Sequence, residues 1–278
     1  MKTERSFDHI VVAVADLDHA ASRYERLGFK LTPRATHPDG MGTSNRLVQF
    51  AGRNFIELLE VDRPGRLDDH QLSALPRQFS FGAHNRAFLA ARTGMSMLAL
   101  TSADTRADLA RFEAAGLDTY APFDFERKAT LPDGSQATVA FTLGFVTHPL
   151  MPGMAFFVCE NRFPEYFWKP AFQSHPNGAQ SLAAVYIEAD APDALVDFLT
   201  TLTGGKAQPI DDGQRITCGA QELLVMTPKR IREVVPNSQH PPSDDPSFAG
   251  VAIASPSTTP HTVPAQDACG IFVEWRAA

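Results

Sequence analysis

Apolar and polar positions alternate at the start of the chain. Ile10, Val12 and Val14 fall on one side of a strand, and His9, Val11 and Ala13 fall on the other. Asp16 can then cap a helix in which Leu17, Ala20, Ala21, Tyr24 and Leu27 recur at helical spacing, and Gly28 stands where that helix ends. The same succession returns twice. Residues 94–120 read as strand, polar cap, amphipathic helix and glycine at Gly116; residues 182–207 repeat it, with Pro192 early in the helix and Gly204 behind it. The glycines share one separation, 88 residues, from 28 to 116 and from 116 to 204.

Strand-like runs follow each helix. After Gly28 they are Phe29–Thr32, Arg46–Phe50 and Asn54–Val61. After Gly116 come a turn at Pro132-Asp133-Gly134, the alternating run Gln136–Leu143 and the apolar run Met154–Cys159. After Gly204, Gln214–Cys218 and Glu222–Met226 flank a turn at Gly219-Ala220. Each unit therefore reads β-α-β-β-β, and the class is α+β. Phe248–Ala254 and Gly270–Trp275 read as a fourth unit reduced to part of its sheet. The expected organisation is a first domain, residues 1–165, holding units 7–62 and 93–162, and a second, residues 166–278, holding unit 182–228 and the degenerate unit 247–278. Among the connectors, 63–93 has room for a short helix near His70–Leu75. The aromatic-rich segment 161–180 reads as a bridge at Phe167 and Trp168, with His175 open between bridge and ligand contact. Residues 236–247 and 255–268 read as surface loops.

Composition narrows the function classes. With 278 residues, 44% hydrophobic, the chain can bury a sizeable core, and 20 Phe exclude disorder throughout. A formal net charge of −7 and the lack of an aromatic–basic strand pattern argue against nucleic acid as a partner. No apolar run approaches the roughly 20 residues of a spanning helix, and no signal-peptide core precedes the first strand, so no membrane partner is expected. Cys159, Cys218 and Cys269 show no CxxC spacing, which fits a reducing, cytoplasmic setting. There is no GxSxG, no phosphate-loop pattern and no Cys/His nucleophile pair.

A unit opening on DHIVVAVADLD and closing on NFIELLEV, with the loop HPDGMGTSN at 37–45, the strand FFVCE at 156–160 and HPNGA at 175–179, resembles the vicinal oxygen chelate superfamily, and within it the glyoxalase-like domain proteins. The resemblance implies open, cupped half-barrel sheets with helices on the outside. It also implies a divalent ion (Zn, Fe, Mn, Ni or Mg) held by the first and last strands of paired units, and a metal-assisted lyase, isomerase or dioxygenase reaction on a small oxygenated organic molecule. A non-catalytic small-molecule binding or sequestering protein of the same fold is the competing reading. Open-edged sheets of this kind close as a homodimer or internally through four units.

Alternation tests that implication residue by residue. If the helix covers Ile10 and Ile56, His9 and Glu57 point to the same opposite side, with Glu57 between Phe55 and Leu59. A carboxylate there needs a partner. A metal supplies one, with His9 and Glu57 as ligands and Glu57 alternatively the catalytic base; a direct His9–Glu57 hydrogen bond supplies another. The other two ligand positions read as Ser96 and either Phe156 or Phe157, which are poor ligands, so His37, His148, Glu160, His175 and Glu274 are candidate substitutes. In the 37–45 loop, glycines allow close approach and His37, Thr43 and Asn45 offer ligand contacts, with His175 as a further one. Asp8, Asp16 and Asp18 read as caps or solvated acids, and Cys159 as an inert core thiol.

Overall fold

The computed structural model describes residues 4–130, 136–240, 243–256 and 259–277. The turn expected at Pro132-Asp133-Gly134 lies outside the described residues. The first unit runs β1 (Phe7–Ala13), α1 (Leu17–Arg26), β2 (Ala35–Thr36), β3 (Ser44–Gln49) and β4 (Phe55–Glu60). Asp16 caps α1, its carboxylate accepting from the His19 N–H at 2.8 Å, and Gly28 takes the left-handed φ of +84° that ends it. Helix α2 (Phe81–Ala91) follows, and then the second unit: β5 (Gly94–Thr101), α3 (Thr105–Ala114), β6 (Asp118–Thr119), β7 (Phe123–Thr130), β8 (Gln136–Thr147) and β9 (Ala155–Asn161). A short helix α4 (Pro164–Phe167) leads to the third unit, β10 (Ser181–Glu188), α5 (Val196–Thr203), β11 (Ala207–Ile210), β12 (Gly213–Cys218) and β13 (Gln221–Met226). Helix α6 (Pro228–Val234), β14 (Ser247–Ser255), β15 (Thr262–Val263) and β16 (Phe272–Ala277) complete the chain.

These strands form two open sheets, neither closed into a barrel. The first has the order β2-β3-β4-β1-β5-β9-β8-β6, with β7 also paired to β8; the second has the order β11-β12-β13-β10-β14-β16-β15. In each, the opening strand of a unit lies parallel to the closing strand of the same unit (β1 with β4, β10 with β13) and antiparallel to the opening strand of the next (β1 with β5, β10 with β14). The worn tail thus pairs with the third unit and not the first.

Burial follows the alternation. Ile10, Val12, Ile56, Leu98 and Phe156 turn into a central core that also takes Val185, Ile187, Leu223 and Val251 of the second sheet and the apolar faces of α1, α3 and α5. Helices α1, α3 and α5 therefore occupy the face that meets the other sheet. This corrects the expected cupped half-barrels with helices on the outside: neither sheet is strongly curled, and of the longer helices α2 and α6 pack on the outer faces. The opposite face of the first sheet carries a second apolar cluster around Val11, Phe55, Met97 and Phe157. On the second sheet the equivalent face is covered: Ile231 of α6 and Val235 pack over Tyr186, Leu224 and Phe272. Beside them Tyr186, Glu222, Glu274 and Arg276 form a bonded network.

Several local expectations are corrected. Residues 29–32 form no strand; the segment is tied to β3 at Thr32, whose N–H donates to Leu47 O and whose Oγ1 accepts from the Leu47 N–H. The Phe29 and Lys30 N–H groups bond to Tyr24 O and His175 Nδ1, so the segment buries Phe29 and Leu31 without joining the ladder. No helix forms at His70–Leu75. The helix of that connector is α2, started by Ser80, whose hydroxyl accepts from the Ala83 N–H. Among the described residues, no helix is long and apolar enough to cross a membrane.

Candidate active site

A cavity of about 580 Å³, counting its mouth, opens on the outward face of the first sheet. Both units build it: β1 and β4 bring His9 and Glu57, β3 brings Asn45, and β7, β8 and β9 bring Phe125, Phe141 and Phe157. Its largely apolar wall, rich in phenyl rings, with a few converging polar groups is the kind of lining that takes a small organic guest.

Glu57 is its centre. Only 4% exposed, it has one carboxylate oxygen, Oε1, pinned by the Asn45 amide N–H at 2.6 Å; the other, Oε2, lies 3.6 Å from His9 Nε2. That gap is too long for a direct hydrogen bond. His9 is oriented from behind. Its Nδ1 is 2.5 Å from Asp8 Oδ1, and its ring stacks on Phe55 with centroids 4.3 Å apart and meets the Phe157 ring edgewise at 5.2 Å. Nε2 is thereby left facing Glu57.

His37 approaches Glu57 from the loop. Its Nε2 is 3.5 Å from Oε1 and 3.1 Å from the Asn45 amide nitrogen, and its Nδ1 is 2.8 Å from Thr43 Oγ1. Since the amide nitrogen only donates, His37 Nε2 accepts, and the ring hydrogen sits on Nδ1 and donates to Thr43. Asn45 Oδ1 is then buried with no partner among the described residues. An acceptor in that state invites a hydroxyl or amide donor from a guest.

The other expected residues fall as follows. Thr43, fully buried, sits one step behind His37 and is not part of the cavity wall. His175 is corrected: it lies outside the wall, where Nδ1 accepts from the Lys30 N–H at 3.0 Å and Nε2 donates to Gln49 O at 2.8 Å, between the rings of Phe29 and Phe50. Burial lowers its pKa. His148 packs against Phe198, Glu160 accepts the Thr105 N–H, and Glu274 lies in the second sheet's network; none lines the cavity. Cys159 does line it. Burial, and secondarily the charges of Asp8 and Glu57, push its thiol well above the ordinary range, so it stays protonated.

Asp8 was missed because strict alternation turns it away from His9. The register of β1 against β5 shifts between Phe7 and His9, a bulge that brings Asp8 to the cavity. No sequence signal marks that bulge. The second unit also differs by one residue: Met97, and not Ser96, joins Val11, Phe55 and Phe157 in the cluster around the cavity. The Ser96 hydroxyl instead donates to Asn85 Oδ1 at 2.7 Å. Phe157 faces His9, while Phe156 turns into the central core against Phe198 and Phe248. A thioether and a phenyl ring thus stand where two hard ligands were sought. Among the described residues, no group of three or more His, Cys, Asp or Glu side chains converges to hold an ion. The donor set does not fit a tightly held divalent metal.

Comparisons with known proteins agree with this architecture. A family model described as a glyoxalase-like domain matches residues 7–203. A hypothetical protein from Staphylococcus aureus superimposes with a TM-score of 0.72 at 15% identity, covering 99% of this chain and 100% of that one. The Mn(II)-bound glyoxalase from Novosphingobium aromaticivorans gives 0.53 at 12% identity, covering 98% and 82%. A variant of 4-hydroxymandelate synthase from Streptomyces coelicolor gives 0.51 at 12%, covering 90% and 71%. At such identities the likeness is one of fold. No curated protein matches the chain.

Proposed function

The chain belongs to the glyoxalase-like domain family of the vicinal oxygen chelate superfamily. From that premise we propose that it is a proton-transferring enzyme, of the lyase or isomerase kind, acting on a small oxygenated organic molecule with an apolar or aromatic part. In this reading residues 1–165 are the reaction module and residues 166–278 its companion. The observation that carries it is the division of labour on Glu57: Oε1 is held by Asn45, and Oε2 looks across 3.6 Å at His9 Nε2.

With Oε1 engaged by Asn45, Oε2 is the carboxylate oxygen left to take a proton at the cavity. A substrate carbon next to a carbonyl gives its proton to Glu57 Oε2, and the protonated Glu57 carboxyl gives that proton back to the neighbouring carbon or oxygen of the substrate. His9, steered by Asp8, lines the same side and fixes where the carbonyl sits. Asn45 Oδ1 accepts from a substrate hydroxyl, and His37, fixed through Thr43, holds Asn45 in place. The phenyl rings exclude water and seat the apolar part. The ion that the superfamily implies would find His9, Glu57 and the substitute His37, whose Nε2 is already engaged by Asn45, and no step is routed through it.

One observation favours the second reading, a binding or sequestering protein: Phe157 in the wall and Met97 in the cluster around it stand where ligands were expected. Deuterium incorporation separates the two. A panel of small keto and hydroxy carbonyl compounds is incubated with the protein in D2O and followed by NMR. Enzyme-dependent exchange that falls about 10²- to 10⁴-fold in Glu57→Gln supports proton transfer. Compounds that bind but exchange no faster than without protein support sequestration.

A further inference from the structure

Beside the cavity lies a wider vestibule of about 1110 Å³, counting its open mouth. The two share Asn45, Leu47 and Phe167 as common walls. Their chemistry is opposite. Arg34, Lys128 and Lys169 line the vestibule, and no carboxylate does among the described residues. This stands out in a chain of net charge −7.

The three cations are not equivalent. Arg34 is matched by Glu60 at 2.8 Å and Asp62 at 3.2 Å, which cancel its charge. Among the described residues Lys128 Nζ donates to a hydroxyl, Thr138 Oγ1, at 2.9 Å, and forms no ion pair with a carboxylate. Lys169 is set in place by its backbone: its N–H donates to the side-chain oxygen of the buried Gln49 at 3.0 Å, and the same side chain donates Nε2–H to Phe167 O at 3.0 Å. One buried amide thus clamps the segment that carries both Phe167, a wall of the cavity, and Lys169, a wall of the vestibule.

We propose that the vestibule seats an anionic group, a carboxylate or a phosphate, of the same molecule whose apolar part fills the cavity. This rests on the cavity being the reaction site and names the substrate class: an amphiphilic anion. Two lysine charges beside a low-dielectric wall attract such a group and orient the apolar part past Leu47 and Phe167 toward Glu57. Open to water, they add a modest increment to affinity, about three- to tenfold.

The test compares 3-phenylpropionate, phenyl phosphate and the neutral 3-phenylpropanamide by calorimetric and NMR titration. In the native protein, one or both anions bind about three- to tenfold tighter than the amide, and the margin shrinks with added salt. A margin for one anion alone identifies its source chemistry. In the Lys128→Met/Lys169→Met variant, Lys128 being exposed and Lys169 half-buried, the margin disappears while amide binding stays. The proposal is overturned if the amide binds as tightly as both anions, if the margin survives in the double variant, or if no probe binds up to about 10 mM. Glu57→Gln separates the two readings. A persisting margin with proton transfer unaffected by that change removes the reaction and leaves the vestibule; a missing margin with Glu57-dependent exchange removes the vestibule alone.

Discussion

Replacing His175 by alanine should cost the fold about 3 to 5 kcal/mol and leave the cavity's binding properties intact. The magnitude follows from its surroundings. Removing the imidazole strips the Gln49 carbonyl, on a residue 1% exposed, of its donor, worth about 1 to 2 kcal/mol. It also strips the Lys30 N–H of its acceptor, worth about 1 kcal/mol because water reaches that backbone more easily. The hole left between Phe29 and Phe50 adds about 1 to 2 kcal/mol. His175→Phe keeps the volume and loses both hydrogen bonds, so it should cost about 2 to 3 kcal/mol, and the difference between the variants isolates packing. Urea denaturation followed by circular dichroism reads both, provided the slope with denaturant is unchanged. A loss below about 1 kcal/mol in His175→Ala, or weakened cavity binding with unchanged stability, would refute the argument and return His175 to the ligand contacts.

Three further outcomes are expected. Burial takes the His84 pKa from 6.5 down to about 4, so the unfolded chain binds the proton more readily between those values. Stability should therefore fall as pH drops from 6.5 toward 4, by about 3 kcal/mol from this residue; urea midpoints across that range should fall less steeply in His84→Gln. In Met97→His/Phe157→Glu, the two missing hard ligands are restored around His9 and Glu57. Competition titration with a chelator should show Zn or Mn binding at least about tenfold tighter than in the native chain; no gain in a folded variant contradicts the ligand geometry. A Cβ at Gly82 would stand 2.1 Å from Met41 O, so Gly82→Ala should push α2 off the 37–45 loop and lower the unfolding free energy by about 1 to 3 kcal/mol.

The parts legible in the sequence are those with local causes. Asp16, the alternation of Ile10 and Val12, and the glycines at 28, 116 and 204 each act within a few residues, and they mark out the repeated units. His9 and Glu57 could be placed on one face because a strand's period is 2. What escaped depends on partners far along the chain. The bulge that brings Asp8 to His9 exists only in the pairing of β1 with β5, and the same pairing sets Met97 in place of Ser96. Helix α2 holds Gly82, His84 and Asn85, weak helix formers, and it is kept by its Ser80 cap and by Phe81 packing in the outer cluster. His175 was ambiguous for the same reason: Gln49 lies 126 residues away.

The cavity wall crosses the seam where β1 meets β5, one repeat giving the imidazole and carboxylate, the other the rings that face them. Neither repeat can therefore drift alone. In the proposed reading a bulkier guest calls for a smaller group at Phe125, Phe141 or Phe157, while a changed reaction calls for exchanges at 9, 45 or 57. On that reading selectivity and reactivity lie in different thirds of the chain, yet a change in one third must still fit the wall supplied by the other.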